Sequence, residues 1–314
     1  MRRVTVGSRG SDLARAMVEE TLANLRATFP KTEFRHRIVT TAGDRDRHTS
    51  LSVLGGDYGG LFAKQLEIEL ELGAIDVAMH SLKDLPTRFP PGLILAAIPS
   101  RGDPRDALCG ARLADLAPGS RVGTGSPRRR AQLLHVRPDL NIVEVRGNVV
   151  PRISHLKATS SLSAIVLAVA GLRRVGLDHE VTELLPIEQF VPAPGQGAIA
   201  LEAREADADV VALLAAVDDP AARAALTAER ALLQEFEGGC SLPLGAHAEL
   251  TGSELRLRGQ LTSLDGKTNV YVERTGQAEH PARLALEVAD AIRASGGDSI
   301  LHAITQIRAD GESR

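Results

Sequence analysis

Hydrophobic positions along the chain alternate between a spacing of two and a spacing near 3.6, the pattern of strands interleaved with helices. Val4-Thr5-Val6 predicts a short strand. Ser11 suits an N-cap and opens a predicted helix with Leu13, Met17, Val18, Leu22 and Leu25 on one face. Phe34 to Val39 predicts a second strand, with an exit loop at Thr40-Thr41-Ala42-Gly43-Asp44. Residues 44–60 are polar and glycine-rich. So long a connection predicts a mobile lid or a partly disordered segment. A helix with Phe62, Leu66 and Leu70 at i, i+4 spacing follows and stops at Gly73. Strands are predicted at Ile75 to Met79, leading into His80-Ser81-Leu82-Lys83-Asp84, and at Leu93 to Ile98.

The same alternation restarts after Arg101. Arg121-Val122 runs into Gly123-Thr124-Gly125-Ser126-Pro127-Arg128-Arg129-Arg130 and a helix through Leu133, Leu134 and Val136. Asn141 to Val145 predicts a strand ending in Arg146-Gly147-Asn148, and Pro151 opens another helix. Ala164 to Ala168 is a strand before Gly171-Leu172-Arg173-Arg174. Val191-Pro192-Ala193-Pro194-Gly195-Gln196-Gly197 then leads back to a strand at Ala198 to Leu201. Two α/β halves crossed twice by one chain predict two lobes, a hinge and a cleft.

The last third reads differently. A helix over Pro220 to Phe236 carries Ala224, Ala225, Ala228, Leu232 and Phe236 and runs into Glu237-Gly238-Gly239-Cys240. Strands are predicted at Ala246–Leu250, Leu255–Arg258 and Thr268–Arg274, with a hairpin turn at Asp265-Gly266. Helices follow at Pro281 to Ala294 and from about Ser299 to Arg308. The expected domains are therefore 1–98 with 197–216, 101–192, and a small α+β domain over 219–314 that carries Cys240.

Composition narrows the partners. Of 314 residues, 43% are hydrophobic and 25% charged, an ordinary globular balance. No run approaches the ~20 apolar residues of a membrane helix, and the start has no apolar segment of the secretory kind. No membrane partner and a cytoplasmic location are therefore expected, with Cys109 and Cys240 as free thiols. A formal charge of −3 and 3% aromatics serve nucleic acid poorly. Yet 32 of the 37 basic residues are arginine, and seven fall between Arg121 and Arg152 against two acids, Asp139 and Glu144. Arginines without aromatics suit carboxylates or phosphates on a small ligand.

Three cations in the first turn of a helix oppose its dipole. Arg128, Arg129 and Arg130 after the Ser126 cap therefore point to an anion site, where backbone N–H groups add donors. Arg146 and Arg152 recur at the next strand–helix junction, and carboxyl-end loops of a parallel sheet line one crevice. Arg9 and Ser11 would face them from the other half. Lys83-Asp84 follows a strand and joins the same crevice, where a carboxylate can stabilise a cation and exchange a proton. His80 reads as a structural donor at a strand end. Cys240 by itself reads more readily as a small hydrophobe than as a reactive thiol, and Cys109 reads as core. No metal-ligand spacing, dinucleotide fingerprint or Walker motif occurs.

Several motifs occur in order: His80-Ser81-Leu82-Lys83-Asp84-Leu85-Pro86, Asp103-Pro104-Arg105-Asp106-Ala107, Gly123-Thr124-Gly125-Ser126-Pro127-Arg128-Arg129, Arg146-Gly147-Asn148-Val149, Ala168-Val169-Ala170-Gly171-Leu172, Gly195-Gln196-Gly197 and Glu237-Gly238-Gly239-Cys240. The ordered set closely resembles the porphobilinogen deaminase, or hydroxymethylbilane synthase, family. The resemblance implies two periplasmic-binding-protein-like lobes plus a third domain. It implies a dipyrromethane cofactor held through a thioether to Cys240. It also implies head-to-tail condensation of porphobilinogen, with loss of ammonia, on a growing oligopyrrole chain in heme and tetrapyrrole biosynthesis.

By the same resemblance, Asp84 assists amine departure and stabilises the azafulvenium and pyrrole N–H groups, with Lys83 beside it. Lys83, Thr124, Ser126, Arg128 and Arg129 would hold cofactor carboxylates, with Asp84 also on the cofactor. Arg9, Ser11, Arg146, Arg152, Arg173 and Gln196 would serve the substrate. A monomer without metal is expected. Leu51 to Gly60 lacks the lysine usual in the family's lid, and Arg45, Arg47 and His48 are the nearby basic residues. A non-catalytic two-lobed binding protein for an anionic small molecule is the competing reading. It has no need of Lys83-Asp84 or of a third domain.

Overall fold

The computed structural model describes the backbone of residues 2–41, 58–236 and 242–312, and the side chains of 3–41, 63–236 and 242–306. Of the expected lid over 44–60, residues 44–57 lie outside the described residues, as do Cys240 with Gly238 and Gly239 and the Phe62 side chain, while 58–60 open the helix Tyr58–Glu71 instead.

The first lobe contains β1 (Arg2–Ser8), α1 (Asp12–Thr28), β2 (Thr32–Ile38), α2 (Tyr58–Glu71), β3 (Val77–Ser81) and β4 (Leu93–Ala97). The second contains β5 (Asp106–Cys109), β6 (Arg121–Gly123), α3 (Pro127–Val136), β7 (Asn141–Val143), α4 (Val149–Ala158), β8 (Ala164–Ala168), α5 (Val169–Arg174) and β9 (Glu183–Leu184). The chain then returns through β10 (Ile199–Arg204) and α6 (Ala208–Leu214). The remainder is α7 (Pro220–Glu235), β11 (Leu244–Thr251), β12 (Glu254–Thr262), β13 (Asn269–Gln277), α8 (Pro281–Ile292) and α9 (Asp298–Glu312).

Among the described residues the strands form three sheets, in the orders β2-β1-β3-β10-β4, β7-β6-β8-β5-β9 and β11-β12-β13. The expectation of a parallel sheet in each half needs correction. β1 is parallel to β2 and β3, and β6 to β7 and β8, but β10 runs antiparallel to β3 and β4. β5 likewise runs antiparallel to β8 and β9. The reason is topological. β5 and β10 are the strands that enter each lobe from a crossing, so they start at the hinge edge where the parallel strands finish. The mixed sheets thereby bring strand starts and strand ends to one border.

The apolar stripes read from the sequence are the cores. Met17, Val18, Leu22 and Leu25 of α1 are buried against Val4, Val6, Val77, Met79, Ile199 and Leu201. Leu232 of α7 and Leu284, Val288 and Ile292 of α8 cover the third sheet. Cys109 is fully buried among Ile153, Ile165 and Leu172, as its apolar context suggests. The helix expected to open at Pro151 begins two residues earlier, at Val149. Proline is accommodated there because the first helical turn has no N–H partners to lose.

Candidate anion-binding site at the lobe junction

The turn carrying Lys83 and Asp84 is a 3-10 segment, Leu82–Asp84, directly after β3. Leu82 N donates to Ala198 O at 3.0 Å, so the turn is tied to the returning crossing. His80, on β3 two residues before this segment, is buried and meets the buried Glu202 carboxylate at 3.1 Å. It acts structurally, as its place at a strand end suggested.

Across the junction, Ser126 caps α3 by accepting from Arg129 N at 3.4 Å, and Pro127 occupies the first turn. Thr124 Oγ1 accepts from Ser126 N at 3.2 Å. Arg128 and Arg129 turn inward and are only 3% and 7% exposed. Buried guanidiniums need a counter-charge, and Asp106, at the start of β5, supplies it. Its Oδ1 accepts from Arg129 Nε at 3.0 Å, Arg129 Nη2 at 2.7 Å and Gln196 Nε2 at 2.8 Å. Arg128 Nη2 pairs with Oδ2 at 2.8 Å. Burial would raise the Asp106 pKa, yet the two guanidiniums hold it well below the usual carboxylate range.

Gln196 joins this cluster to the other lobe. Its Oε1 lies 3.4 Å from Arg129 Nη2 and 3.5 Å from Lys83 Nζ, and its Nε2 also donates to Pro104 O at 2.7 Å. Lys83, Gln196, Arg129, Asp106 and Arg128 thus form one continuous polar chain through the hinge. Burial pushes the Lys83 ammonium down to about 8; Arg129 and Arg128 add to the shift, while Asp84 and Asp106 oppose it. Arg128 Nε is buried without a hydrogen-bond partner among the described residues. An unfilled cationic donor in the helical turn that Ser126 caps fits an incoming carboxylate.

The other expected residues have local partners of their own. Ser11 caps α1 by accepting from Ala14 N at 3.2 Å, with the half-buried Arg9 beside it. Arg146 lies 3.8 Å from Glu144. Arg152 is half-buried on the first turn of α4. Arg173 is 54% exposed and approaches Asp103 at 3.3 Å. It lines a pocket of about 300 Å³ with Glu20, Gly102, Asp103, Ala170 and Arg174. Here Arg174 reaches across to Glu20 of α1 at 2.8 Å and joins the lobes.

Asp106, Arg101, Glu229 and Arg174 were not singled out by sequence reasoning. Two of them left a signal. Asp106 begins the otherwise apolar run Ala107-Leu108-Cys109, and Glu229 interrupts the apolar stripe of α7 between Leu226 and Leu232. An acid in a buried position calls for a buried cation. Among the described residues no group of three or more His, Cys, Asp or Glu could hold a metal ion. Among them, too, no helix is long and apolar enough to cross a membrane.

Comparison with known proteins bears on the whole chain. Residues 4–212 match the family model "Porphobilinogen deaminase, dipyromethane cofactor binding domain", and residues 224–294 match "Porphobilinogen deaminase, C-terminal domain". A porphobilinogen deaminase of Pelobacter propionicus is 42% identical over 97% of this chain and 98% of its own. One from Roseiflexus castenholzii is 44% identical over 95% of this chain and 98% of its own. Among solved structures, the methionine binding protein MetQ has a TM-score of 0.43 at 14% identity, over 68% of this chain and 89% of its own. Two domain models that together span both lobes and the third domain, with relatives this similar end to end, settle the membership: the chain belongs to the porphobilinogen deaminase family.

Proposed function

We propose that this chain joins porphobilinogen units head to tail, with release of ammonia, into a linear hydroxymethylbilane primed on a dipyrromethane group bound to Cys240 through a thioether. The observation that carries the reading is the polar chain from half-buried Lys83 to buried Arg128, with three cations and an unfilled Arg128 Nε beside it. Each pyrrole brings two carboxylates, so a growing chain needs cations at successive points of a cleft. In the proposed division, residues 1–98 with 197–216 and residues 101–192 are the walls. Residues 219–314 are the domain that carries the tether. The protein acts as a monomer in the cytosol, with no nucleic acid or membrane as partner.

A dipyrromethane held there supplies the free pyrrole carbon to which the first unit is joined. Lys83, Thr124, Ser126, Arg128 and Arg129 hold its acetate and propionate groups. The Thr124 and Ser126 oxygens already accept backbone N–H bonds, which leaves their O–H protons to donate to carboxylates. Ser11 is in the same situation as the cap of α1. With Arg9, Arg146, Arg152, Arg173 and Gln196 it orients the substrate and the lengthening chain.

Asp84 gives its proton to the departing amine as the C–N bond breaks. The carboxylate then faces the positive carbon left behind, where opposite charge lowers the barrier. A carbon–carbon bond forms, and the proton displaced from the attacked pyrrole carbon returns to Asp84. Tethering makes each encounter intramolecular, which removes several kcal/mol of barrier.

Intact-mass measurement of the purified protein tests the tether. The expected mass exceeds the sequence value by one dipyrrole unit, and Cys240→Ser lacks the increment. An unmodified mass in freshly purified, active protein would contradict the thioether. Asp84→Asn is expected to keep the fold and lose most turnover; near-normal activity would remove Asp84 from the mechanism.

A further inference from the structure

Among the described residues no strand pairs with the segment just after Asp84. β3 ends at Ser81, and Pro86 has no N–H to donate. Leu85 is buried in the core of the first lobe, and a further grip comes from the third domain. Arg230, on α7, donates through Nη2 to Pro86 O at 2.7 Å and through Nη1 to Leu85 O at 3.4 Å. Its guanidinium also lies 5.4 Å from the ring centre of Phe89, further along the same segment. Residues 85–89 are thus clasped at two carbonyls and an aromatic face by one planar fork. A cation over an aromatic face adds to such a grip.

Its neighbour in sequence grips the hinge. Glu229 accepts from Gly195 N at 2.8 Å and pairs with Arg101 at 2.6 Å. The helix that carries both ends at Glu235, five residues before Cys240 in the sequence. One helix therefore touches both the hinge and the segment that follows Asp84.

We propose that Arg230 is a positioning residue for the proton transfer at Asp84, fixing the Lys83–Pro86 turn from the tether-bearing domain. This rests on the reading of Asp84 as the proton donor. The backbone of residues 85 and 86 sets the direction in which the preceding turn points its side chain. A misplacement of about 1 Å at a reacting group can cost on the order of 100-fold in rate. Lys83, in the same turn, is held by Gln196 as well, so ligand capture has an independent anchor. Loss of Arg230 should therefore fall on turnover rather than on substrate affinity.

The test measures kcat and KM per cofactor-loaded molecule, with loading read from intact mass, for Arg230→Gln and Arg230→Lys. Arg230→Gln is expected to lower kcat by about 10–100-fold with KM within about threefold. Arg230→Lys, which keeps one donor for Pro86 O, should fall between it and the parent. The same substitution is then made in an Asp84→Glu background, whose longer side chain has already moved the carboxylate. There the further loss should shrink to less than about threefold, since the two changes act on one step. An equal fall in both backgrounds, or an unchanged kcat, would overturn the proposal.

Arg223→Gln provides the structural control. Arg223 is another α7 arginine that grips the first lobe, at Ala96 O, away from the turn. It should change the urea midpoint without changing kcat; a kcat loss equal to that of Arg230→Gln would also overturn the proposal. Asp84→Asn, measured alongside, separates the two ideas. Near-normal turnover there removes the Asp84 reading itself, whatever Arg230 does.

Discussion

Glu229 and Arg101 meet through paired contacts of 2.6 and 3.1 Å, with the carboxylate fully buried. The same carboxylate accepts from Gly195 N and Ala248 N, each at 2.8 Å. Arg101 belongs to the first crossing, Gly195 to the second and Ala248 to the third sheet. One side chain therefore ties both crossings to the third sheet. Removing one member of such a pair leaves a buried charge uncompensated, which costs about 3–5 kcal/mol. Glu229→Gln is expected to lose that much in urea unfolding, read as a lower midpoint with an unchanged slope. A loss below about 1 kcal/mol would show that the hinge does not depend on this contact.

The hinge segments also touch through glycines. Gly197 has a φ of +90°, and a Cβ there would sit 2.6 Å from Gly102 O. Gly92 has a similar φ of +85° with nothing within 4 Å of the same position. The two substitutions separate backbone strain from steric clash. Gly92→Ala should cost about 1–2 kcal/mol, the strain of the left-handed region alone. Gly197→Ala adds overlap with a neighbouring carbonyl and should cost about 1–3 kcal/mol more. Equal urea midpoints for the two variants would show that the crossings separate freely at this point.

Lys83 gives the junction a pH dependence. Burial brings its ammonium to about 8 from an ordinary value of 10.5. Between these values the unfolded chain holds a proton that the folded chain has released, so stability rises with pH across that window. Below about 8 both states are protonated and the full cost of the buried charge is present. Cofactor-free protein should therefore gain urea resistance from pH 8 to pH 10 relative to Lys83→Met, which has no such proton. Parallel curves for the two proteins would place the titration elsewhere. On the proposed role of Lys83, capture of anions by the loaded enzyme should follow the opposite trend, because the Lys83 charge fades above about 8.

Much of this was legible in the sequence for a physical reason. Residues such as Leu22, Leu66 and Val288 announce helix faces by spacing alone, and Ser11 and Ser126 announce caps by their place before those stripes. Arg128 and Arg129 stood out because a cation in a first helical turn works against the dipole. Spacing does not encode direction between distant strands, so the antiparallel entry of β5 and β10 was missed. Nor does it encode which charges meet. Asp106 lies 23 residues before Arg129, and Glu229 lies 128 after Arg101. Only their misplacement among apolar neighbours hinted at a partner.

Asp106 is the sharpest test of how the site is assembled. Its carboxylate compensates Arg128 and Arg129, both buried. The guanidiniums depress its pKa below the ordinary 3.8. A depressed acid contributes stability above its unfolded value and loses it only as pH falls through its folded value. The pair should therefore persist undiminished down to about pH 4, and acid should weaken it only below that. Asp106→Asn removes the counter-charge at every pH and should cost about 3–5 kcal/mol near neutrality. It also leaves two buried guanidiniums in want of an anion. A polycarboxylate such as citrate should then raise the melting temperature of cofactor-free Asp106→Asn more than that of the parent. Equal shifts would mean that the two arginines are closed to ligands and serve the fold alone.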